Sequence, residues 1–378
     1  MRKRVGLLSS TIVVFAVLML IVSNASAAGL SPKELLGKKI FFDTNLSKPV
    51  GMSCSSCHNP NVGWVDPDSN LPVSQGVVTP GKPNVFGGRN APSSAYAAYS
   101  PAFHLDVATG LYVGGQFWDG RALTLADQAK GPFLNPVEMK ATKSYVVNQV
   151  RLSAYSQLFK DVYGPNSLNV VNSAYNLIAD AIAAYETSHQ VNKFSSKYDK
   201  FLKGTVQLTA LEQRGLSRFG GKAKCSNCHI LKSPAPGVNT VFTDFTYDNL
   251  GVPSNPEVLT LIGNPAFVDL GLGASAALAA PDPLQDGKFK VPTLRNVAKT
   301  FPYAHNGYFT KLQDIVHFYN TRDTLPVCTG AAGDVPGTTC WPAPEVAANV
   351  NVTEVGNLGL TAADELAIVA FLNTLSDQ

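Results

Sequence analysis

Cys54-Ser55-Ser56-Cys57-His58 and Cys225-Ser226-Asn227-Cys228-His229 are the stretches of this chain whose residue types and spacing can do chemistry. Each reads C-x-x-C-H, the attachment site of a c-type haem. At this spacing two cysteine sulfurs bond the haem edge covalently, and the adjacent histidine can bind the iron from below. Two C-x-x-C pairs can also share one zinc, but such pairs usually lie about 15–20 residues apart. Here they stand at residues 54–57 and 225–228. A redox dithiol needs no histidine after its second cysteine. The expectation is two covalently attached haem c groups, with His58 and His229 as iron ligands.

The chain has 378 residues, enough for two domains of ordinary size. Residues 1–27 read as a secretory signal peptide: Arg2-Lys3-Arg4, an apolar run over 5–22, then Ala25-Ser26-Ala27. Membrane attachment follows only if that segment stays uncleaved. Export suits the two cysteines left over, Cys328 and Cys340, which read as a disulfide closing a Gly/Pro-rich loop. The net charge of +3, with no basic run in the mature chain, argues against a nucleic-acid partner.

The elements that must position the motifs are mostly helical. Ser31-Pro32-Lys33-Glu34 opens a helix with a capping box and leads to the first motif. Thr209-Ala210-Leu211-Glu212 opens another and leads to the second. Residues 59–116 lack periodicity and read as a long loop that wraps a site. Helices are expected over 123–129 (ending before Pro132), 145–150, 154–162, 170–189, 194–202, 311–319 and 361–375. Few strands are expected. The fold class is mainly α, with two cytochrome c-like haem domains, 28–190 and 191–378, and long irregular loops.

Several further blocks resemble the bacterial di-haem cytochrome c peroxidase/MauG family. They are Phe117-Trp118-Asp119-Gly120-Arg121, Gln128, Pro132, Asn135-Pro136-Val137-Glu138-Met139 and Arg89-Asn90-Ala91-Pro92. Val291-Pro292-Thr293-Leu294-Arg295-Asn296-Val297 and Pro302-Tyr303-Ala304-His305-Asn306-Gly307 complete the set. The resemblance implies a periplasmic enzyme with the peroxidatic haem in the N-terminal domain and the electron-transfer haem in the C-terminal one. It places Glu138, Gln128 and Pro132 on the distal side of the first haem and Trp118 between the haems as an electron relay. It implies a calcium ion bound by Asn90 and the carbonyls of Thr300 and Pro302, oxygen donors that suit this ion. It also puts the second haem's distal ligand fourteen residues beyond His305, at Tyr319, where many family peroxidases have methionine and MauG has tyrosine. No methionine occurs after Gln190, and Leu312, Ile315, Val316 and Tyr319 share one helix face.

A carboxylate over an open iron face can move the proton that peroxide cleavage requires, so Glu138 is the candidate acid–base group. The alternative for Glu138 is a surface glutamate; for Trp118 and Tyr319 it is core packing. No histidine occurs over 59–103; His104 reads as a loop residue, with a displaceable ligand as the alternative. The first haem is therefore expected to be open. His305 is placed near the haem interface, His317 at the surface on the polar side of its helix, and His189 at the end of the long helix, where a histidine suits the macrodipole. Trp64 and Trp341 read as packing or surface. The expected function is reduction of hydrogen peroxide with electrons from a small periplasmic donor, a c-type cytochrome or copper protein. A MauG-like oxidation of a partner protein and a non-catalytic di-haem electron carrier are the alternatives.

Overall fold

A computed structural model of the chain describes residues 29–68, 70–76, 82–232 and 239–378. The signal-peptide expectation for 1–27 lies outside the described residues. In chain order the helices are α1 (Pro32–Phe41), α2 (Cys54–Cys57), α3 (Leu125–Ala129), α4 (Gly131–Leu134), α5 (Lys143–Leu152) and α6 (Ser156–Tyr163). There follow α7 (Val171–Thr187), α8 (Lys197–Leu202), α9 (Ala210–Phe219), α10 (Pro256–Leu261), α11 (Leu312–Thr321) and α12 (Ala362–Asn373). Sheet is confined, among the described residues, to two antiparallel pairs: β1 (His104–Asp106) with β2 (Leu111–Val113), and β3 (Tyr247–Asp248) with β4 (Phe289–Lys290). No helix among the described residues is long and apolar enough to cross a membrane.

The same local plan is built twice. Ser31 caps α1 while Glu34 reaches back to the cap nitrogen, and Thr209 and Glu212 do the same for α9. α1 packs across α7, and α9 across α12. At each crossing a glycine lets the backbones touch. A Cβ on Gly37 would lie 1.8 Å from the Ala181 carbonyl oxygen, and one on Gly215 would lie 1.9 Å from that of Ala367. Each helix pair anchors its own buried apolar cluster. One joins Leu36, Ile40, Phe41, Trp64, Ile178 and Ile182. The other joins Phe219, Phe242, Phe318, Trp341, Ile368 and Phe371.

The helix expected over 123–129 forms as α3 and ends at Ala129, before Pro132, which sits in the first turn of α4, where a missing N–H costs nothing. One expectation needs correction. The 59–116 loop contains the hairpin β1–β2, which the sequence hid because Leu105 and Leu111 face solvent, so no core-facing alternation marks it. The expected disulfide is present between Cys328 and Cys340. Its loop braces α11: Trp341 packs on Phe309 and Phe318, and its indole N–H donates to Thr321 Oγ1 at 3.0 Å.

Candidate di-haem site

One continuous cavity runs between the two C-x-x-C-H motifs, and nearly all of the expected site residues line it. α2 carries Cys54 and Cys57, and a single 3₁₀ turn carries Cys225. All four thiols are free of disulfides. Each histidine is anchored through Nδ1: His58 to the Trp64 carbonyl at 3.2 Å, His229 to that of Phe242 at 2.9 Å. The backbones of Pro92 and Pro292 approach the same two rings. Burial holds both imidazoles below their ordinary basicity, His229 down to about 4. A neutral ring with Nδ1 committed to backbone leaves Nε2 free for a metal. Paired thiols, an oriented histidine and a shared cavity fit two covalently attached haems.

The two ends of the cavity differ in what faces the histidines. At the first end stand Gln128 from α3, Pro132 from α4 and Glu138 from the turn after it. That turn is held by its own asparagine. Asn135 accepts from the Val137 N–H through Oδ1, and its Nδ2 donates to Glu138 Oε1 at 2.6 Å. The arrangement leaves Oε2 for other partners. Burial pushes the Glu138 carboxyl above its usual range, against the Asn135 hydrogen bond and the Arg121 charge. Glu138 is therefore a cavity residue and not a surface one. At the second end α11 presents Leu312, Ile315, Val316 and Tyr319 along one face. Burial raises the Tyr319 phenol well above its ordinary value, so only a strong Lewis acid bound to its oxygen would displace the proton.

Trp118 stands at the junction. Its indole donates to the Asn90 carbonyl at 2.8 Å, and its own carbonyl accepts from the Lys290 N–H at 2.8 Å. Asn90 Nδ2 also donates to the Pro302 carbonyl at 2.6 Å, and Thr300 lines the cavity nearby. An amide flip would turn the Asn90 oxygen toward Pro302. The three are neutral oxygen donors, short of the six to eight oxygens that calcium takes. Arg89 ties the halves together, 2.6 Å from both Asp119 and Asp269.

Of the remaining histidines, His104 starts β1 on the surface, away from the cavity. His305 lines the cavity, stacked on Phe289 with centroids 3.7 Å apart and 3.1 Å from Glu345. His317 is only partly exposed and bonds Glu365. His189 lies two residues past the end of α7. Trp64 and Trp341 are buried, but Trp64 has a task beyond packing, since its carbonyl orients His58.

Two cavity residues escaped sequence reasoning. Glu186 on α7 is buried, its Oε2 lacks a hydrogen-bond partner, and burial lifts its pKa to about 8. Lys290 is enclosed by protein, and burial lowers its pKa to about 7 against the pull of Asp119. The available signal was alignment of the two halves. Ala181-Ile182-Ala183-Ala184-Tyr185-Glu186 matches Ala367-Ile368-Val369-Ala370-Phe371-Leu372, so a carboxyl stands where the other half has leucine.

Residues 31–207 match the model of the family described as di-haem cytochrome c peroxidase. The methylamine utilization protein MauG of Paracoccus denitrificans is 39% identical over 91% of this chain and 88% of its own length. The cytochrome c551 peroxidase of Nitrosomonas europaea is 33% identical over 74% of this chain and 70% of its own length. Among solved structures, the di-haem peroxidase BthA of Burkholderia thailandensis superposes with a TM-score of 0.78 and 34% identity. That match covers 92% of this chain and 87% of BthA.

Proposed function

The chain belongs to the di-haem cytochrome c peroxidase family and is an oxidoreductase, and from that premise we propose that it reduces hydrogen peroxide at the first motif. The observation that carries this reading is Glu138, half-buried in the cavity of the first motif with one oxygen held by Asn135 and the other left for substrate. When bound, the haem irons supply the redox chemistry, and the chain supplies position, proton transfer and a path for electrons. Glu138 takes a proton from one peroxide oxygen and returns it to the other. Two electrons and two further protons complete the conversion of one peroxide to two waters. Gln128 and Pro132 shape the space above the substrate. Trp118, clamped by Asn90 and Lys290, is the aromatic between the motifs through which electrons pass. The electrons come from a small periplasmic donor that docks at the second half.

The domain division 28–190 and 191–378 belongs to the same proposal. It is supported by the two buried clusters, although Val191 packs into the first. Calcium binding by Asn90, Thr300 and Pro302 also belongs to it. Chelation should lower activity and alter the spectra, and added calcium should restore both. A chelated protein with unchanged spectra removes that site.

A second reading has its own support. Tyr319 faces the second motif, and a phenolate favours ferric iron, whereas methionine raises the potential. That suits oxidation of a partner protein's residues by the fully oxidised enzyme.

The deciding experiment starts with mass spectrometry of the mature chain. Absorption and EPR spectra of the oxidised protein follow, before and after one addition of peroxide. Two haem masses that survive denaturation and a spectrum that responds without prior reduction are expected. One haem mass, or an inert spectrum, sinks the reading. Rapid turnover with reduced cytochrome c or copper protein selects peroxide reduction over partner-protein oxidation.

A further inference from the structure

Lys290 is a cavity-lining cation that forms no ion pair among the described residues. It ends β4, and its ammonium donates to the Gly115 carbonyl at 2.5 Å. That neutral oxygen is the sole hydrogen-bond partner of the ammonium among the described residues. The nearest influential carboxylate, Asp119, is engaged by Arg89 at 2.6 Å and Arg121 at 3.0 Å. The other enclosed cations of the cavity wall are matched: Arg89 has Asp269 and Asp119, and Arg295 has Asp199 in a bidentate pair. Lys290 is half-buried and lines the cavity. A buried ammonium needs its charge met and its three N–H groups bonded. Two of those donors have no partner among the described residues.

Repetition in the fold explains why the cation stands at this point. Asn90 and Lys290 are equivalent positions, each two residues before the proline whose backbone approaches a motif histidine. One receives the Trp118 indole N–H and the other donates to the Trp118 carbonyl. Asn90 satisfies its side chain on Pro302, whereas Lys290 does not find a comparable partner. The group that brings carboxylates into this cavity is haem, through its propionates.

We propose that Lys290 is a haem-binding residue whose ammonium pairs with a propionate at the junction beside Trp118. The proposal rests on haem occupying the cavity and is independent of the reaction catalysed there. A charge-assisted hydrogen bond of this kind would complete the lysine and fix the haem edge against the relay tryptophan. It would also favour the reduced iron, because a nearby cation stabilises the state with one positive charge fewer.

The test uses the holoprotein and its K290M and K290R variants, with covalent haem counted first. K290M keeps length and apolar bulk but loses the charge. It should retain both haems through their thioethers and shift a propionate bending mode in resonance Raman. One midpoint potential should fall by about a tenfold change in the reduction equilibrium, or ~59 mV for one electron. K290R should hold the potential near wild type while altering the propionate mode, because the donor geometry changes and the charge does not. Propionate modes indifferent to both substitutions overturn the proposal, and so does a K290R potential that falls as far as that of K290M. If K290M does not fold, the Raman spectrum of K290R decides alone. A wild-type chain without haem overturns this inference and the proposed function together. Two haems with spectra indifferent to residue 290 overturn only the role of the lysine.

Discussion

The two haem-motif halves share a frame and differ in what they place above it. In both, a capped helix crosses a long helix at a glycine, C-x-x-C-H follows, and a backbone carbonyl six or thirteen residues beyond the histidine fixes its ring. Above that frame the first half sets Gln128, Pro132 and the Glu138 carboxyl, whereas the second sets the apolar face of α11 and the Tyr319 phenol. The proximal side is thus a repeated solution to one problem, holding an oriented neutral imidazole. The distal side is where the halves differ, one presenting a carboxyl and the other a phenol.

Removing the proton carrier should break that division most sharply. Glu138→Gln keeps the shape and the Asn135 contact but cannot cycle a proton. Peroxide turnover should fall by ~10²–10⁴-fold with both haems retained and the second half's spectrum unchanged. A variant that turns over at the wild-type rate takes Glu138 out of the chemistry. Next is Tyr319→Phe, which preserves packing on α11 and deletes the oxygen. The EPR signal and midpoint potential of the second haem should move while those of the first stay in place. A second haem indifferent to this change, or a wild-type oxidised spectrum with a sulfur-to-iron band, would show that Tyr319 is not its ligand.

Glu186→Leu makes the first half resemble the second, where Leu372 stands. The Glu186 pKa of about 8 lies above the 4.5 of an ordinary glutamate. Below pH 4.5 the acid is neutral folded or unfolded, and no penalty arises. As pH rises from 4.5 toward 8 the unfolded chain ionises while the folded one resists, so stability is lost across that window. The leucine variant should therefore gain stability on the order of a few kcal/mol at pH 8, and little of it at pH 4. Denaturant midpoints at the two pH values check this, and an equal gain at both would assign the effect to packing. Smaller still, Gly37→Ala and Gly215→Ala should destabilise by similar amounts, about 1–3 kcal/mol each, because each forces a methyl onto a carbonyl oxygen. A cost at one crossing and none at the other would mean that the halves are not built alike.

Covalent attachment and helix capping confine their partners to neighbouring positions, which is why both motifs and the capping boxes could be read from the chain. The Cys328–Cys340 bond was legible for the same reason, as two cysteines in one loop. Tyr319 was singled out by the family resemblance, and only its place on the inward face of α11 follows from period. Glu186 and Lys290 were not, because nothing in their types says they are buried. Their meaning arises only when α7 and β4 close over the cavity and remove water from a charge. The same holds for the clamp on Trp118, whose two partners lie 28 residues before it and 172 after it and meet only in three dimensions. What the sequence by itself determined is the chemistry of attachment and the helices that carry it, since these depend on local spacing. The tertiary structure alone decided which charges lie inside and what faces each histidine, because burial and opposition are properties of packed surfaces.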